Sequence, residues 1–92
     1  MQTGDDAPTV TVGTIYEDCA FHPVLCTFSS PDEDELRGIS LIDGQMRSCS
    51  YFHCGAEPLT LGQALRIKSD FPHYVDSRKA GGPLPEREMP TE

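Results

Sequence analysis

Four cysteines and two of the three histidines fall into two short clusters, and metal binding is the chemistry that such a set performs most readily. The first cluster reads C-x2-H-x3-C, from Cys19 through His22 to Cys26, and the second reads C-x3-H-C, from Cys49 through His53 to Cys54. Zinc takes four sulfur or nitrogen donors at tetrahedral corners, commonly two from each of two chain segments separated by a hairpin or a helix. The two clusters meet that topology. The expectation is therefore a structural zinc held by Cys19, Cys26, Cys49 and Cys54, with His22 or His53 as alternative ligands. Neither cluster is a C-x2-C knuckle, and the same residues are compatible with two disulfides, with free thiols or with an iron–sulfur cluster.

Catalysis by one of these thiols would need a lowered pKa, a neighbouring base and a third group to orient that base. His53 beside Cys54, with Asp18 and Asp43 elsewhere, supplies the residue types without a motif that fixes their geometry. A C-x-x-C pair, H-E-x-x-H, G-x-S-x-G and a phosphate-cradling glycine loop are all absent. A thiol-dependent enzyme is the weakest of the readings.

What must position these side chains is a small domain. Of 92 residues, 37% are hydrophobic, and a core that thin seldom supplies more than ~3–5 kcal/mol without a metal, a disulfide or a partner. A structural zinc, with a binding free energy of ~10–16 kcal/mol, would exceed that whole contribution. Residues 1–9 and 75–92 are polar or rich in Pro, Gly and charge and are expected to be flexible tails, which leaves a single domain over 10–74.

Charge narrows the partners. Fifteen acids against seven bases give a net charge of −8, a field that repels a phosphate backbone, so nucleic acid is not an expected partner. The run "PDEDE" at 31–35 reads as a solvated loop. No stretch is apolar for long enough to span a membrane, and no leader pattern stands at the start, which points to a cytoplasmic protein whose cysteines are expected to be ligands or redox groups rather than structural disulfides.

Along the chain, "VTVGTIY" reads as an extended segment and "PVLCTFSS" as a strand whose first residue, Pro23, suits a sheet edge. "LRGISLID" and "QMRSCSYF" read as a hairpin about Asp43-Gly44, a dipeptide that favours a two-residue turn. That register sets Gly38 opposite Cys49 on one side and Cys26 on the other, so the two thiols would flank a residue without a side chain at ~10 Å. In "LTLGQALRIKSDF", Thr60 and Gln63 form a capping box that starts a helix at Leu61, with Leu61, Ala64, Leu65, Ile67 and Phe71 toward the sheet, Gln63, Arg66 and Lys68 toward water and Pro72 as its end. The expected fold class is α+β: a three- to four-stranded antiparallel meander with one C-terminal helix packed on one face. The expected function is a zinc-binding protein-interaction or accessory module without its own catalysis, meeting a protein partner or a second copy through the Pro23 strand, the side of "RSCSYF" bearing Tyr51 and Phe52, or the acidic loop. The alternative is a disulfide-stabilised or free-thiol binding domain.

Overall fold

The computed structural model describes residues 10–52 and 56–86. Seven elements follow one another: β1 (Ile15–Glu17), β2 (Pro23–Ser30), β3 (Glu35–Ser40), β4 (Met46–Cys49), β5 (Glu57–Leu59), α1 (Leu61–Ser69) and α2 (Phe71–Lys79). The class is α+β. The strands form one five-stranded sheet in the order β4-β3-β2-β1-β5, with every pairing antiparallel.

The expected meander of three or four strands is thus one strand short at least, and β5 is the strand that was missed. It is three residues long and contains Pro58, so it carries almost no strand signal. Pro23 does not mark an edge, because β2 lies at the centre between β1 and β3. A proline is tolerated there as the first residue of the strand, where its carbonyl still accepts a bond from Leu41 N–H at 2.8 Å.

Side chains alternate along β2, with Val24 and Cys26 buried and Leu25 and Thr27 exposed, which is the period-two pattern of a strand covered on one face. Cys26 does stand opposite Gly38 as the spacing predicts, and a bulge at Thr27 shifts the pairs beyond it. The β3–β4 hairpin departs from the two-residue turn. Gly38 pairs with Arg47, and Cys49 pairs with Leu36. The connection is longer because its own side chains satisfy it: Ser40 Oγ accepts from Ile42 N–H at 3.0 Å and Asp43 Oδ1 from Gln45 N–H at 3.0 Å. Gly44, at φ 73°, donates to Ser40 O and turns the chain back.

Gly38 separates no thiols. A Cβ there would sit 2.3 Å from Leu25 O and 2.5 Å from Val24 Cγ1, so the backbone of β2 already occupies the space. On the face bearing Tyr16, Val24 and Cys26, the buried cluster is completed by Val10, Leu36, Cys49 and Ala56, with Tyr51 packed against it.

α1 has the capping box: Gln63 N–H donates to Thr60 Oγ1 at 3.1 Å, and Thr60 N–H donates to Gln63 Oε1 at 2.9 Å. Gln63 does not face water. Its Nε2 donates to Pro85 O at 2.7 Å, so a segment well past Tyr74 packs on the helix. Ala64 and Ile67 are buried as expected, whereas Leu61 and Leu65 are exposed. A second helix follows the first, because Pro72 lies in the first turn of α2, where its missing N–H costs no helical bond. The expected domain limit at Tyr74 falls inside α2. No helix among the described residues is long and apolar enough to cross a membrane.

Candidate functional site

The three cysteines among the described residues occupy three different environments. Cys19 is exposed and free, on the turn between β1 and β2. Cys26 is free and buried, its Sγ donating to Phe28 O at 3.4 Å, and burial pushes its thiol up despite that bond. Cys49 is disulfide-bonded and lines the same core cluster as Cys26. His53 and Cys54 lie outside the described residues. Among the described residues, no group of three or more His, Cys, Asp or Glu side chains is placed to hold a metal ion.

His22 serves as a packing group. Its Nδ1 is 2.8 Å from Ser40 Oγ and its ring meets Phe71 edge-on with centroids 4.8 Å apart. Burial, followed by the charge of Arg47, holds its pKa below the ordinary imidazole value. The turn that presents it is built by Asp18, whose Oδ1 accepts from Ala20 N–H at 3.0 Å and His22 N–H at 2.9 Å. Its other oxygen takes Arg47 Nε of β4. These bonds stabilise Phe21 at φ 70°, a left-handed conformation that a bulky residue seldom adopts.

Glu17 is the second buried acid that sequence reasoning missed. Its carboxylate receives Tyr74 Oη, Arg78 Nε at 3.1 Å and Arg78 Nη2 at 2.7 Å, so α2 is fastened to β1 by a hydrogen-bonded ion pair. Nothing near Glu17 in the sequence announces this, since its partners come 57 and 61 residues later. An open depression of about 310 Å³ lies at the elbow between the helices, lined by Arg66, Asp70, His73, Tyr74 and Ser77. His73 Nδ1 pairs there with Asp70 at 3.3 Å, both side chains largely solvated, and the Tyr74 hydroxyl is engaged by Glu17. No nucleophile is held against a base in it.

The surface carries a clearer signal. Leu25, Ile39 and Met46 form one cross-strand row on β2, β3 and β4, on the face opposite Val24 and Cys26. Leu25 is 38% and Met46 66% exposed. On α1, Leu61 and Leu65 stand one turn apart at 61% and 56% exposure, and Lys68 on the same stripe donates to Leu41 O at 2.6 Å, just beyond β3. The helical stripe therefore borders the hairpin. No family model matches the chain, and no curated protein or solved structure resembles it.

Proposed function

We propose that this chain is a small protein-interaction module of the disulfide-stabilised kind, without its own catalysis, and that its working surface is the apolar row on β2–β3–β4 together with the exposed stripe of α1. The observation that carries this reading is the row itself: exposed Leu25 and Met46 flank half-buried Ile39 across three consecutive strands, in a chain of which only 37% is hydrophobic. A chain with so little hydrophobic surface to bury leaves such groups in water when another surface covers them in use. The disulfide at Cys49 and the separate free thiols of Cys19 and Cys26 favour this form of the module over one organised by zinc.

The test is capture from an extract of the cells that express the chain, comparing the natural protein with a Met46→Lys, Leu65→Lys double variant. Both substituted positions are exposed, so the fold should survive, as circular dichroism would verify. The reading expects a protein recovered in near-equal amount with the natural chain and lost with the variant. Recovery that is the same for both contradicts it.

A further inference from the structure

The two edges of the sheet are built differently, and the difference points to what binds. β5 is guarded: it has three residues, Pro58 in the middle and Glu57 at its start, all devices that discourage a further strand. β4 is also short, at four residues, but it contains no proline and no acid. Its sequence is Met46, Arg47, Ser48 and Cys49, and its one charge is directed inward to Asp18.

The hydrogen-bond phase of the hairpin shows which groups β4 offers. Ser40 N–H donates to Gln45 O at 2.9 Å, which makes 40 and 45 a hydrogen-bonded pair. Such pairs alternate along an antiparallel ladder, so Gly38–Arg47 and Leu36–Cys49 also exchange bonds, while Met46 and Ser48 aim their N–H and C=O groups away from β3. That is the template a sixth strand requires.

Charge then selects the strand. From Gly44 to Phe52 the chain has no acidic residue, but acids stand at both ends of β4. Asp43 is exposed at one end, and the Gln45 N–H holds its carboxyl below the usual range. At the other end the turn with exposed Asp32 and Glu33 is fixed beside the strand, because Asp34 Oδ1 accepts from Ser50 Oγ and from Phe52 N–H, each at 2.8 Å. A four-residue strand spans only ~10–14 Å, while the Debye length at physiological salt is ~8 Å, so each charged end acts on the end of a segment that lies beside it.

A second copy fits poorly. Two-fold antiparallel pairing of β4 with β4 would set Asp43 of each copy against Asp32 and Glu33 of the other, between chains that each carry −8. Building on the interaction-module reading, we propose that β4 is the docking edge for an extended segment of another protein, apolar at alternate positions beside Met46 and carrying Lys or Arg at both ends. Backbone bonds to Met46 and Ser48 give the affinity, and the acids at either end fix polarity of charge and speed encounter.

The probe is a synthetic peptide of alternating valine and threonine with Lys-Arg at each end, titrated into the full chain and followed by heteronuclear NMR. A matching peptide with Glu-Glu at each end is the control. The proposal expects the basic-ended peptide to shift the Met46 and Ser48 amides, to bind at least about tenfold tighter than the acid-ended one, and to weaken when salt rises to about 0.15 M. Ser48→Pro removes an outward N–H without touching the β3 ladder and should abolish binding while the remaining spectrum keeps its dispersion. Asp32→Lys with Glu33→Lys should weaken it several-fold. Equal binding of the two peptides, no binding of either, or a dimer seen by ultracentrifugation and broken by Ser48→Pro would overturn the proposal. Binding that instead shifts residues about Leu61 and Leu65 overturns the edge proposal and leaves the interaction-module reading standing.

Discussion

β4 and β5 close the same sheet, yet one end is clasped and the other is open. On the β5 side, β1 is tied to α2 through Glu17, Tyr74 and Arg78, and Gln63 holds the segment at Pro85 against α1. On the β4 side, the hairpin is tied in at its turn and its ends, by Arg47 to Asp18, Lys68 to Leu41 O, and Ser50 and Phe52 to Asp34, while Met46 and Ser48 face solvent. The contrast separates stability from availability: a buried ion pair joined by a tyrosine hydroxyl fastens the guarded end, and exposed apolar and backbone groups mark the end that a partner can reach.

Substitutions should divide along that line. Glu17→Ala should have the largest effect, because it strands Arg78 and the Tyr74 hydroxyl at a carboxylate site only 3% exposed. A loss of about 3 kcal/mol in denaturant unfolding is expected, with α2 amides exchanging faster and β4 chemical shifts unchanged. Equal disturbance of α2 and β4 would show that the two ends are one unit. Gly38→Ala attacks the open half, where the new methyl would meet Leu25 O and Val24 Cγ1, and should cost about 2 kcal/mol.

Tyr16→Phe should act in the opposite sense. The Tyr16 hydroxyl is buried with no hydrogen-bond partner among the described residues, so its removal should raise stability by about 1 kcal/mol, measured by the same unfolding curves. The smallest effect is a pH dependence carried by His22. Its folded pKa is lowered, chiefly by burial, so the folded chain binds fewer protons there than the unfolded one. That contribution is fully present above the unfolded value of ~6.5 and is lost as pH falls from there toward the folded value. His22→Asn should remove this limb from the stability–pH curve. A curve of unchanged shape through that interval would show that His22 does not carry it.

The α+β class, α1 and its capping box were legible because their signals are local: Thr60 and Gln63 are three residues apart and bond each other. The hairpin was legible only in outline. Asp43-Gly44 marks a turn, but Ser40 and Asp43 side chains stabilise a longer one, and the shift moved Cys49 from Gly38 to Leu36. β5 and α2 were hidden by Pro58 and Pro72, each in a position where proline is allowed. The burial of Glu17 and Asp18 was not legible, because Arg78 and Arg47, which pair with them, are far away in sequence. Cys19, Cys26 and His22 stood out by type, and type does not reveal that they face solvent, core and Ser40 respectively.

Amide hydrogen exchange along β4 in the free chain tests the central claim most directly. An open edge predicts alternation, with Met46 and Ser48 exchanging near the unprotected rate while Arg47, whose N–H bonds to β3, is slow. Protection at Met46 and Ser48 equal to that at Arg47 would mean that the edge is already covered, and would contradict the account.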